Sequence, residues 1–122
     1  TFIETDDAAT LNKPITVITN ANTACLAEIF AVALRNHADA AIVGSITAGK
    51  SQLQTTQSFK DGSAVSISTA YIIPTESEDF GDVGVKPDYI VELTAQQAES
   101  IKFADKTTDP QLQKALEIVA TK

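Results

Sequence analysis

Three residues in the first half of this chain have the types and spacing for nucleophilic chemistry: Cys25, Lys50 and Gln54. Cys25 stands at the start of a helical pattern. Unpaired N–H groups and the positive end of the helix dipole favour a thiolate there. The N–H of Leu26, one residue on, is a natural half of an oxyanion hole. A nucleophile also needs a group to take its proton. His37 is the only histidine, but it lies 12 residues further along the same pattern, about 18 Å of helical rise away. It reads instead as a helix C-terminal residue favoured by the dipole. Lys50 is the better base, provided that burial draws its pKa down. Gln54, four residues on, carries an amide that can accept from an ammonium. Each residue also has a plainer reading. Cys25 could be a small buried residue, Lys50 a solvated lysine and Gln54 an ordinary strand residue. Thr47 could contact the lysine or simply end a strand, and Glu28 reads as a capping and dipole residue.

The elements around these residues must bring them together. Residues 15–19, ITVIT, are a β-branched run that suits a buried strand. Asn20 to Asn22 make a turn. From Thr23 to about Asn36 the apolar residues Leu26, Ile29, Phe30, Ala33 and Leu34 form a helical stripe. Ala40 to Ser45 reads as a second buried strand, completing a βαβ-like unit with parallel strands. Parallel neighbours present their C-terminal ends on one edge, where open α/β sheets bind ligands. The turns carrying Cys25 and Lys50 are therefore expected side by side.

Downstream, residues 53–59 and 63–73 form a hairpin turning at Lys60-Asp61-Gly62. Residues 75–84 are acidic and contain glycine, and read as an exposed loop. A short final strand lies within Val85 to Leu93. Thr94 caps a short helix or turn with Gln97 at the third position. Asp109 caps a last helix that has Pro110 at its first position and a stripe of Leu112, Leu116 and Val119, with Ala115 and Ile118 beside it. Residues 1–13 are a polar lead-in.

The length suits one compact domain with a real core. A formal net charge of −7 argues against nucleic acid and against an anionic membrane surface as partners, since both need clustered Lys and Arg. No apolar run in this sequence approaches the length of a membrane span, and no stretch of it reads as a signal peptide. One cysteine and one histidine cannot close a zinc site.

These residues, in this order, resemble the carboxy-terminal processing proteases, also called tail-specific proteases. Thr23-Ala24-Cys25-Leu26-Ala27-Glu28 is similar to the family's Ser/Thr-Ala-Ser-Ala-Ser-Glu run, with Cys25 at the position of the nucleophilic serine. Thr47-Ala48-Gly49-Lys50-Ser51, followed by Gln54, is similar to its Thr-Phe-Gly-Lys-Gly block and glutamine. The spacings from nucleophile to lysine and from lysine to glutamine match. Asp61-Gly62-Ser63-Ala64, Tyr71 with Pro74, Gly84-Val85-Lys86-Pro87-Asp88 and the run from Asp109 to Leu116 continue the likeness. The match runs from about Pro14 to the end. There are departures. Leu26 and Ala27 replace a small and a hydroxyl residue, Ala48 an aromatic and Ser51 a glycine, and Ala70 stands where arginine is common.

The resemblance implies a partial ClpP/crotonase-like α/β fold of ββα units, with parallel strands, a β-hairpin and a C-terminal helix. It implies peptide-bond hydrolysis near protein C-termini, with Cys25 as nucleophile, Lys50 as base, Gln54 positioning Lys50 and the N–H of Leu26 at the oxyanion. It implies no cofactor, protein or peptide C-termini as substrates, and a location outside the cytoplasm. Residues 1–122 then form the C-terminal portion of a catalytic domain, without the PDZ domain and the N-terminal catalytic strands. An apolar sheet edge left open by those strands is expected to make the chain self-associate into homo-oligomers. The alternatives are a non-catalytic relative that binds peptides or assembles, and a serine enzyme whose nucleophile was exchanged for cysteine as a trap.

Overall fold

The computed structural model describes residues 13–74, 79–101, 105 and 107–121. Eight elements follow in order: β1 (Thr16–Thr19), α1 (Leu26–Ala38), β2 (Ala41–Gly44), β3 (Gln52–Ser58), β4 (Ala64–Tyr71), β5 (Tyr89–Ile90), α2 (Ala95–Ser100) and α3 (Pro110–Thr121). Strands β1, β2 and β5 form a parallel sheet with β2 at its centre. Strands β3 and β4 form a separate antiparallel hairpin.

The central strand AIVG is buried throughout, and its alternation divides the core in two. Ile42 packs with Ala31 and Val32 of α1 and with Phe80 and Val85. Ala41 and Val43 turn the other way, onto Ala115 and Ile118 of α3. Helices therefore cover both faces of the sheet, as a parallel sheet requires. The β1–α1–β2 unit, the hairpin and the final strand stand where the sequence places them, although β5 is only two residues long. The two cap assignments hold as well. Thr94 Oγ1 accepts from Gln97 N at 3.2 Å. Asp109 Oδ1 accepts from Gln111 N at 2.9 Å and Leu112 N at 3.1 Å.

Three expectations need correction. In α1 the residues turned inward are Glu28, Ala31 and Val32, whereas Leu26 and Phe30 of the apolar stripe are 69% and 64% exposed. The inward position one turn into the helix belongs to a carboxylate, which rotates the buried face away from the stripe. In α3 the buried line is Gln111, Ala115 and Ile118, because Gln111 donates to Val91 O at 2.8 Å and so belongs inside. Leu116 is exposed. The segment read as an exposed loop carries Phe80, which is only 3% exposed and anchors the α1-side core. Residues 75–78 of that segment, and the lead-in apart from Lys13, lie outside the described residues.

Candidate active site

Cys25 sits between β1 and α1 as the residue preceding the helix, with φ 56° and ψ −119°. This is the first corner of a type II′ turn, where glycine is the favoured residue. A side chain held there costs roughly 1–3 kcal/mol and persists only where its surroundings fix it. Several bonds fix this one. Asn20 N donates to Thr23 Oγ1 at 3.0 Å, and Thr23 N donates to Asn20 O at 2.9 Å. Ala48 N, in the segment leading to Lys50, donates to Thr23 O at 2.9 Å. Cys25 is half-buried. The N–H of Leu26, the first of the helix, donates to no acceptor among the described residues.

Glu28 is the keystone of the site. Its side chain is 0% exposed and accepts four hydrogen bonds. Oε2 accepts from Cys25 N at 2.7 Å and from Lys50 N at 2.9 Å. Oε1 accepts from Gly49 N at 2.7 Å and from the Thr47 hydroxyl. One carboxylate thus ties the Cys25 turn to the Lys50 turn, with a main-chain nitrogen of each on the same oxygen. Burial alone would raise the pKa of Glu28. The hydrogen bonds from Thr47, Gly49, Lys50 and Cys25 outweigh it and hold the carboxyl below its ordinary value.

The lysine turn is itself clamped from outside. Gly49 has φ 72°, and a Cβ there would come within 2.7 Å of Gly84 N. Asp82 N donates to Gly49 O at 2.8 Å, and Val85 N donates to Thr47 Oγ1 at 2.7 Å. Only a glycine lets the two backbones approach so closely.

The expected juxtaposition of the Cys25 and Lys50 turns is therefore present, and Glu28 makes it. Lys50 is exposed, whereas its reading as a base presumes burial. Gln54 is exposed on β3, opposite Ser68, at a bulge between Leu53 and Gln54. It makes no hydrogen bond to Lys50. His37 lies in the last turn of α1, at the opposite end from Cys25. Sequence reasoning gave Glu28 only a capping role and left Thr47 undecided. The available signal was a capping glutamate followed by a Thr-x-Gly-Lys turn that must find acceptors for its N–H groups. A cleft of about 600 Å³ opens beside the turn of Asn20 to Asn22, lined in part by Ile18, Asn20, Asn22, Leu93 and Leu112. Among the described residues no three His, Cys, Asp or Glu side chains converge as metal ligands, and no helix is long and apolar enough to cross a membrane.

Cys25 thus stands on a strained strand-to-helix turn of an α/β fold, tied to the Lys50 turn by one buried carboxylate. The pattern of peptidase family S41 is matched over residues 2–91. The chain is 32% identical over 120 residues to a carboxyl-terminal-processing protease of Synechocystis sp., covering 97% of this chain and 27% of that protein. It is 34% identical over 97 residues to the carboxy-terminal processing protease CtpA of Bacillus subtilis, covering 80% and 21%. Among solved structures, the photosystem II D1 C-terminal processing protease superposes with a TM-score of 0.62 at 28% identity, covering 88% of this chain and 25% of that one. The tricorn protease superposes with a TM-score of 0.69 at 20% identity over 88% and 10%, a likeness of fold. This chain belongs to peptidase family S41, and its fold is the ClpP/crotonase-like α/β class that the sequence implies. It spans about a quarter of the length of the curated relatives it matches.

Proposed function

We propose that this chain supplies the nucleophile and lysine turns of a carboxy-terminal processing protease. Cys25 Sγ attacks the carbonyl carbon of the scissile peptide bond while its proton passes to the neutral amine of Lys50. The oxyanion that forms is held by the N–H of Leu26. Collapse of the tetrahedral intermediate breaks the C–N bond, and Lys50 returns the proton to the departing amine. A thioester remains on Cys25. Lys50 then takes a proton from water, and the hydroxide so formed releases the new C-terminus and restores the thiol. Gln54 orients Lys50, and desolvation of the lysine comes with bound substrate. The observation that carries this reading is the convergence of Cys25 N and Lys50 N on one oxygen of buried Glu28, beside a nucleophile held at positive φ.

In the same reading the chain is the C-terminal portion of a larger catalytic domain. Its substrates are proteins cut near their C-termini, it works outside the cytoplasm, and it self-associates. The names of the relatives support the substrate class.

The test is the rate of iodoacetamide alkylation of Cys25, with Lys50→Ala in parallel. A paired thiol reacts roughly tenfold faster than the same thiol without the lysine. Cleavage of a protein with a tagged C-terminus by the full-length polypeptide, abolished by Cys25→Ala, tests the hydrolysis itself. A thiol indifferent to Lys50 would sink the pairing.

A further inference from the structure

We propose that Thr47 is a positioning residue for the Cys25–Lys50 pair, its hydroxyl coupling the segment from Phe80 to Val85 to both reactive turns. The inference rests on the reading of Cys25 and Lys50 as the reacting pair. It goes beyond that reading by assigning a role to a residue whose hydroxyl bonds to neither side chain but to Glu28 and Val85.

Thr47 is buried. A hydroxyl has one proton to give and two lone pairs to receive. Here Val85 N–H donates to the oxygen at 2.7 Å, which leaves the hydroxyl proton for Glu28 Oε1, where the structure places it. The main chain of Thr47 pairs with the same segment, its N–H donating to Val85 O at 3.3 Å. The acceptor of the hydroxyl proton is the carboxylate that holds Cys25 N, Gly49 N and Lys50 N. A continuous run of bonds therefore leads from the Val85 amide through one hydroxyl to both reactive turns. The segment at the far end is anchored in the core by Phe80 and Val85 and touches the lysine turn again through Asp82 N and Gly49 O at 2.8 Å. A threonine with a purely structural task could give its proton to any carbonyl. This one gives it to the group that sets the distance between nucleophile and lysine.

Valine has nearly the shape of threonine and lacks the hydroxyl. Thr47→Val leaves the buried Val85 N–H without an acceptor and removes one donor from Glu28. Serine keeps the hydroxyl. Three rates of Cys25 alkylation by iodoacetamide decide the matter, each measured on a variant whose circular dichroism and cooperative melting show that it folds. Thr47→Val is expected to slow alkylation about tenfold, Thr47→Ser to stay within about twofold of the unsubstituted chain, and Thr47→Val to change the rate by less than about twofold when Lys50 is already alanine. In the unsubstituted chain the amides of Cys25, Gly49, Lys50 and Val85 are expected to exchange with deuterium as one unit. Thr47→Val that melts lower but alkylates normally would show a structural threonine and overturn the proposal. So would Thr47→Ser behaving like Thr47→Val, or equal slowing with and without Lys50. Should Thr47→Val fail to fold, a Val85 amide exchanging independently of the other three overturns it. If Lys50→Ala slows alkylation and Thr47→Val does not, this inference alone fails. If Lys50→Ala has no effect, the Cys25–Lys50 pairing fails and the inference with it.

Discussion

Replacing Glu28 by glutamine exchanges one carboxylate oxygen for an NH2 group and changes almost no volume, yet it is expected to loosen the site and destabilise the chain. The carboxylate accepts four hydrogen bonds while fully buried. A glutamine amide accepts on one side only and presents N–H on the other. With the NH2 toward Cys25 and Lys50, both main-chain donors lose their acceptor. With the NH2 toward Thr47 and Gly49, the hydroxyl can turn to receive, but the Gly49 N–H cannot. At least one buried donor is stranded, at about 1–3 kcal/mol, and the remaining bonds lose their charge assistance. The sum is roughly 3 kcal/mol, which for a domain of this size lowers the melting temperature by about 12 °C. Alkylation of Cys25 is expected to slow by about tenfold, since the two turns no longer share an anchor. The difference between the two proteins also depends on pH. Glu28 holds its proton more weakly when folded than when unfolded, so the folded state binds fewer protons and stability rises with pH. The contribution is complete above the ordinary value of 4.5 and is lost as pH falls through the folded pKa. The gap in melting temperature should therefore be widest near neutrality and narrow in acid. A Glu28→Gln protein that melts within about 2 °C of the original at pH 7 and alkylates at the same rate would refute the reasoning.

Gly49→Ala places a Cβ within 2.7 Å of Gly84 N at φ 72°; it should cost about 2–4 kcal/mol in a urea titration and slow Cys25 alkylation, because Lys50 is the next residue. Phe80→Ala empties part of the α1-side core and should cost about 3–5 kcal/mol by the same measurement, where an exposed loop residue would cost almost nothing. The β3–β4 register puts Val65 and Ile67 on the ribbon face that also bears Thr55 and Gln57, and both are exposed. Light scattering at high concentration should show self-association that Val65→Thr with Ile67→Thr reduces without lowering the melting temperature.

The order of elements was legible because the β-branched runs, the hairpin turn and the Thr94 and Asp109 caps are local signals, each needing only a few neighbouring residues. The juxtaposition of Cys25 and Lys50 was legible because parallel strands bring such turns to one edge whatever their side chains do. The inward faces of α1 and α3 were harder to read. A pattern that counts only apolar residues cannot foresee that Glu28 and Gln111 point inward, since what keeps them there includes donors and acceptors 19 to 22 residues away. Phe80 was hidden for a related reason. Asp79, Gly81 and Asp82 beside it read as loop, and the contact with Ile42 belongs to the tertiary fold.

The bonds to Glu28 also imply an order of assembly. They span 3, 19, 21 and 22 residues of chain, whereas the bond from Val85 to Thr47 spans 38. Closing a short loop costs less entropy than closing a long one, and contacts between near neighbours form early. The Cys25 and Lys50 turns would then meet while β1, α1 and β2 condense, and the segment bearing Val85 would dock onto a pair already made. Stopped-flow folding of the chain should bear this signature. A destabilising change at Glu28 would chiefly slow folding, and one at Val85 would chiefly hasten unfolding. In that order, the paired Cys25 and Lys50 turns are the first part of this chain to become native.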